Sequence, residues 1–245
     1  MQFFGLSLFI LILAAGPALA STTGAVGSPK VKADETALEM RAGFSTDDEE
    51  GSSDDSRFRS RVHIDHGFND VYALRFIAAQ DDRKGDNWEH DSLKIENRFY
   101  LLKAKDIGFD FGIRLGYQHK DGDKKPSNLE YGFYELIPFD PWEIRFNQIF
   151  SDALGDEAED GIEAEWRTQI SRKISEDGFR LGLEAFHDFG NLDEGTNFEE
   201  QSHTIGPVLK GPIFDGSFKF EAGYRAGISD SAPDHSFKFF LSRSF

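Results

Sequence analysis

The sequence predicts an all-β chain, a transmembrane antiparallel up-and-down β-barrel of about twelve strands, and three observations predict it. Apolar and polar residues alternate with period two from residue 37 onward; long polar links and short links take turns between the alternating segments; and aromatics make up 14% of a chain with formal charge −17. A disordered acidic chain would be poor in aromatics, so the acid and the 25 Phe must be sorted in space. The acid indeed gathers in short blocks between aromatic segments.

Residues 3–20 are apolar and end in the small-x-small triplet Ala18, Leu19, Ala20. This predicts a signal peptide over 1–20, cleaved before Ser21, although residues 1–4 lack the usual Lys or Arg. Residues 21–36 are predicted as a periplasmic N-terminal segment and 37–245 as the barrel. Beyond residue 20 no apolar run approaches the ~18 residues of a spanning helix, so any membrane residence must be as strands. The absence of Cys removes disulfides and the usual bacterial lipid-anchor attachment.

The strands follow in order. In 37–44, Leu38, Met40, Ala42 and Phe44 share one face and Glu39, Arg41 and Gly43 the other. In 57–65, Phe58, Val62 and Ile64 oppose Arg57, Arg59, Arg61, His63 and Asp65. Segment 71–79 sets Tyr72, Leu74, Phe76 and Ala78 against Arg75, and 93–101 sets Leu93, Ile95, Phe99 and Leu101 against Lys94, Glu96 and Arg98. Segment 109–118 is the clearest, with Phe109, Phe111, Ile113, Leu115 and Tyr117 opposing Asp110, Gly112, Arg114 and Gly116. Segment 129–135 is followed by 142–149, where Trp142, Ile144 and Phe146 oppose Glu143, Arg145 and Asn147. In 161–170, Ile162, Ala164, Trp166 and Ile170 oppose Glu163, Glu165, Arg167 and Gln169. Segments 179–186, 203–210, 217–226 and 236–245 complete the set. Gly206 and Pro207 interrupt 203–210, which leaves ten or fourteen strands as alternative counts.

Links 45–56, 80–91, 119–128, 151–160 and 190–202 are long and polar, whereas 66–70, 103–108 and 137–141 are short; 171–178 fits least well. This alternation suits a barrel with one outward and one periplasmic rim. A soluble β-sandwich also alternates, but its polar face would meet bulk water and carry Thr, Ser and Lys. Here the polar face is rich in Arg and Glu with Gly between them, which suits an enclosed lumen where charges pair and small residues make room. Closure also satisfies every backbone group in lipid.

The chain's last residues, Phe237-Lys238-Phe239-Phe240-Leu241-Ser242-Arg243-Ser244-Phe245, resemble the C-terminal strand of Gram-negative outer-membrane proteins, which finishes on an aromatic residue. That resemblance implies residence in the outer membrane, among its lipid and lipopolysaccharide, and delivery by the outer-membrane insertion machinery, which reads such a strand. Twelve strands with an Arg-lined lumen also look like the small monomeric channels for acidic oligosaccharides, but no residue motif specifies a subfamily.

Twelve strands about 4.8 Å apart and tilted by roughly 40° make a cylinder about 24 Å across, leaving a passage on the order of 10 Å. The lumen-lining candidates are Arg57, Arg59, Arg61, His63, Arg75, Arg98, Arg114, Glu143, Arg145, Glu163, Glu165 and Arg167. Strand eight, with Glu163 and Glu165, lies diametrically opposite strand two, so a basic wall is expected to face an acidic one and orient charged solutes. The function read from this is a porin-like channel for small polar or charged solutes. The competing reading is a non-conducting structural or surface-interaction barrel whose lumen is filled by a salt-bridge lattice, with Arg145 and Arg167 neutralising the acidic wall. A third is a lipid-acting hydrolase or acyltransferase using His235 and Ser236, two neighbours that a strand would point to opposite faces. No catalytic, metal or cofactor site is assigned. The acidic blocks, Asp47, Asp48, Glu49 and Glu50 above all, lack the ligand spacing of a calcium loop and read as solvated charge. Net acidity disfavours nucleic acid, and neither a Gly-rich phosphate loop nor a Cys/His metal cluster is present.

Overall fold

Alternation alone would allow either a flat sandwich or a cylinder, and the pairing of first strand with last decides between them. The computed structural model describes residues 22–48, 52, 54–82, 89–120, 126–155 and 158–245. The signal peptide expected over 1–20, and Glu49 and Glu50 of the acidic block, lie outside these residues. Twelve strands form one closed antiparallel barrel: β1 (Thr36–Thr46), β2 (Arg57–Gly67), β3 (Tyr72–Asp82), β4 (Glu89–Leu102), β5 (Asp110–Lys120), β6 (Ser127–Phe139), β7 (Trp142–Leu154), β8 (Ile162–Lys173), β9 (Arg180–Asn191), β10 (Ser202–Ile213), β11 (Phe218–Gly227) and β12 (His235–Ser244). One helical turn, α1 (Ala104–Ile107), fills the link after β4.

Every strand pairs with its sequence neighbour, and β1 closes the cylinder on β12 from Ala37↔Ser244 to Thr46↔His235. Two main-chain bonds tie the end of this seam, Phe245 N–H to Thr36 O at 2.8 Å and Thr36 N–H to Phe245 O at 3.3 Å. Strand β10 is continuous despite the interruption read in the sequence. Its ladder with β9 runs unbroken through Gly206 and Pro207, while its pairing with β11 passes from Ile205↔Ala226 to Val208↔Gly223. The residue without an N–H therefore sits where one ladder is open. Gly206 is required there, because a Cβ would meet the Tyr224 carbonyl oxygen at 1.9 Å.

What is buried separates this molecule from a soluble fold. Among the largest fully enclosed side chains are Arg225, His63, Gln169, Glu184 and Asn147, whereas Met40, Phe76 and Leu183 are 57%, 50% and 59% exposed. Strand β5 shows the inversion residue by residue: Asp110, Gly112 and Arg114 are enclosed while Leu115 and Tyr117 are exposed. An exterior this apolar is stable in lipid and costly in water. Its aromatics meet across strands, Tyr131 with Phe150 at 5.4 Å, Phe146 with Trp166 at 5.9 Å and Trp166 with Phe189 at 5.0 Å.

Residues 21–36 are expected as a periplasmic N-terminal segment; the structure places 22–31 within the barrel lumen. The stretch has no regular secondary structure, and Thr22, Thr23, Val26 and Pro29 are buried. Small residues allow this passage: Thr22, Thr23, Gly24, Ala25, Val26, Gly27 and Ser28 carry nothing larger than valine. Wall glycines leave the space, since a Cβ on Gly43 would meet the Thr22 carbonyl at 2.8 Å and one on Gly67 the Lys32 oxygen at 2.0 Å. The segment thus runs from the rim that carries the chain ends, beside Gly67, toward the loop-bearing half of β1.

Candidate functional site

A chain inside a lumen must find partners for its main-chain groups, because no ladder supplies them. Here arginines on the wall do so. The Arg98 guanidinium donates to the Ser28 and Lys30 oxygens at 3.4 and 3.2 Å, Arg114 to Ser28 O at 3.0 Å, and Arg145 to Val26 O at 3.5 Å. Arg167 donates to Ala25 O at 3.2 Å and Arg41 to Thr23 O at 3.3 Å. Asn147 closes a two-way pair with Gly27, its Oδ1 accepting from Gly27 N–H at 2.6 Å and its Nδ2 donating to Gly27 O at 3.1 Å. These donors stand on β1, β4, β5, β7 and β8, so the segment is held from both sides of the lumen.

Below the segment lies a cavity of about 600 Å³, bounded inward by Ala25–Ser28 and outward by Asp177, Gly178, Lys219 and Ser242 at the terminal rim. Eleven Lys and Arg line it against five Asp and Glu. The chain as a whole is acidic, so its positive charge has been gathered into this vestibule. Three cation pairs stand directly opposite one another across adjacent strands: Arg41 and Arg61, Arg98 and Arg114, Arg180 and Lys210. Like charges in that position repel, and a cation-rich face of this kind favours a bound anion.

Carboxylates compensate part of the charge. Glu96 lies 3.5 Å from each of Arg75, Lys94 and Arg114. Asp65 accepts from Arg75 and Arg98 at 2.8 and 2.5 Å, Lys94 pairs with Glu130, and Arg114 stacks 3.7 Å over the Tyr134 ring. On the β8–β12 side the charges are cross-linked: Lys238 bridges Glu184 and Glu221 at 2.6 and 2.7 Å, and Lys210 reaches Gln169 and Glu143 at 2.5 and 2.9 Å.

The residues singled out in the sequence divide into two groups. Arg61, His63, Arg75, Arg98, Arg114, Arg145 and Arg167 line the vestibule. Arg57 is enclosed nearer the loops in a triad with Asp54 and Asp81, and Arg59 pairs with Asp91 at 3.2 Å. The expected acidic wall is neutralised by its own neighbours: Glu165 is forked by Arg167 at 2.5 and 2.7 Å, and Glu143 is held by Arg145 at 2.8 Å as well as by Lys210. Glu163 stands exposed near the loop rim, accepting from Ser151. Of the residues not singled out, Arg41, Lys94, Glu96, Tyr134, Arg180 and Lys210 belong to the vestibule. Arg41, Lys94 and Glu96 were legible as inward-facing, and the run of small residues 22–28 was the available signal for a threaded segment. His235 is exposed and bonded to the Tyr224 hydroxyl at 2.9 Å, whereas Ser236 is buried on the other face.

A closed twelve-stranded cylinder, apolar outside and charged inside, has the fold of a transmembrane β-barrel. Solved structures share the fold. The chain superposes on the COG4313 outer membrane channel from Pseudomonas putida F1 with a TM-score of 0.63 and 11% identity, over 88% of this chain and 97% of that one. On the KdgM porin the values are 0.55 and 12%, over 85% and 99%. On the NanC porin they are 0.55 and 11%, over 84% and 98%. No family model matches the sequence, nor does any curated protein.

Proposed function

We infer that the protein is a channel of the outer membrane for small polar solutes, with a preference for anions. The observation that carries this reading is the vestibule, which concentrates eleven cations within an acidic chain. A charged cavity bounded by low-dielectric walls raises the local concentration of oppositely charged solutes. The KdgM porin has been solved in complex with disordered oligogalacturonate, an anionic chain, and a solute of that charge suits this vestibule. The apolar exterior supports contact with outer-membrane lipid and lipopolysaccharide, and β12 with Phe245 is the element we assign to recognition by the insertion machinery.

The test is planar-bilayer recording on refolded protein under a salt gradient. Discrete current steps whose reversal potential lies toward the anion support the channel, and persistent silence at every voltage overturns it. Silence would favour the second reading, a stabilising barrel that conducts nothing, for which the enclosed Arg57, Asp54 and Asp81 triad and the threaded segment both speak. For a lipid-acting enzyme, the opposed directions of His235 and Ser236 remove the pair that suggested it.

A further inference from the structure

We propose that residues 22–30 form a displaceable gate, and that anionic solute opens it by taking over the arginines that hold it. This rests on the channel reading. The segment's hold on the wall consists largely of charge-assisted bonds in which Arg41, Arg98, Arg114, Arg145 and Arg167 donate to neutral main-chain carbonyls. A guanidinium binds a carboxylate more strongly than a carbonyl and does so with two parallel bonds. A wall carboxylate already pairs with each of the five arginines, Glu39, Asp65, Glu96, Glu143 and Glu165 in turn. Eleven cations nevertheless line the vestibule against five acids, so a net repulsion among the cations persists while the segment is bound. An anion removes it.

Beyond these bonds, the Asn147 carboxamide pairs both ways with Gly27 at 2.6 and 3.1 Å. Residues 24–32 join no strand ladder, and Val26 and Pro29 are the apolar side chains that 22–30 bury. Among the described residues the segment makes an ion pair from Lys30 to Asp110 at 3.2 Å, at the terminal rim, with the Lys30 side chain 54% exposed. The vestibule ends against Ala25–Ser28, so a solute arriving from that side meets the arginines and the carbonyls together. A ligand that binds the open form better shifts the population by its differential affinity, which is all the mechanism requires.

The absence of native cysteine makes a reversible lock feasible. A Cβ on Gly43 would lie 2.8 Å from the Thr22 hydroxyl oxygen and equally close to the Thr22 carbonyl, so the double variant Thr22→Cys, Gly43→Cys brings two thiols within reach of a disulfide once the Thr22 backbone gives way by a few tenths of an ångström. The full chain carrying this pair is recorded in planar bilayers, oxidised and then reduced, with citrate as probe. In the reduced protein citrate is expected to raise the open fraction about tenfold, the scale of one charged hydrogen bond exchanged. In the oxidised protein the open fraction stays low and citrate changes nothing. Equal currents and equal citrate responses in both redox states overturn the gate and leave the channel standing, whereas silence in both overturns the channel and the gate with it. A second, single variant guards against poor folding of the pair. Val26→Cys, buried in the closed form, is expected to react with iodoacetamide about tenfold faster in citrate, by the same bond exchange; a rate indifferent to citrate at constant ionic strength overturns the proposal.

Discussion

Arg98 and Arg114 face each other directly across β4 and β5, and both donate to the single carbonyl oxygen of Ser28. Arg98 also pairs with Asp65 and Arg114 with Glu96, but both guanidiniums line a vestibule in which eleven cations outnumber five acids, and so add to its net positive charge. The double variant Arg98→Gln, Arg114→Gln is therefore expected to move the reversal potential under a salt gradient toward zero, while Arg57→Gln, whose charge is already spent on Asp54 and Asp81, leaves it in place. Equal shifts for both variants would show that selectivity is a property of net charge and not of the vestibule.

Glu96 is 3% exposed and stands between Arg75, Lys94 and Arg114. Removing its charge leaves three enclosed cations facing one another, and losing one partner of a buried ion cluster costs about 3–5 kcal/mol. Glu96→Gln should lower unfolding stability by that order, measured by urea titration of Trp fluorescence in detergent micelles. Glu163→Gln, at an exposed rim position, should change it by less than about 0.5 kcal/mol.

Strand periodicity made the barrel legible because a period of two is imposed by the backbone itself, and a lumen with a lipid exterior inverts which face is polar without altering the period. Thus Arg75 and Arg114 could be placed inward from the sequence, and β2 and β8 could be set opposite each other by counting around the ring. Height along the axis was not legible in the same way. It separates Arg57 and Arg59 near the loops from Arg61 and His63 in the vestibule, and it depends on strand register, which is set by pairs such as Arg41 with Arg61 on different strands. The threaded segment escaped for a different reason: residues 22–28 have no periodicity, and their place is fixed by the Gly43 gap and by side chains distant in sequence, Asn147 being 120 residues from Gly27.

The lipid-facing band yields a prediction that a water-exposed surface would not share. Phe76 is 50% exposed and lies at mid-strand between Ile64 and Ile95, themselves 50% and 45% exposed. Phe76→Arg should cost about 2–4 kcal/mol when unfolding is followed in vesicles, the depth-dependent penalty for arginine near the bilayer midplane. An effect within about 0.5 kcal/mol, as on a solvated face, would contradict membrane exposure of this row.

The opposition of Arg41 to Arg61 makes anion binding a stability effect as well as a transport effect. Both side chains line the vestibule, and the Arg41 guanidinium already carries Glu39 at 2.6 Å together with the Thr23 carbonyl. A multivalent anion that binds the folded barrel but not the unfolded chain stabilises it by about 2.7 kcal/mol at a hundred times its dissociation constant. Simple screening of repulsion, by contrast, depends on ionic strength alone. The thermal midpoint of the detergent-solubilised barrel should therefore rise more in citrate than in sodium chloride of equal ionic strength, and Arg41→Gln should shrink that difference while leaving the sodium chloride response nearly unchanged. Coincident curves for the two salts would mean that the opposed cations are screened and not bridged, and the vestibule would then lose its claim to be an anion site.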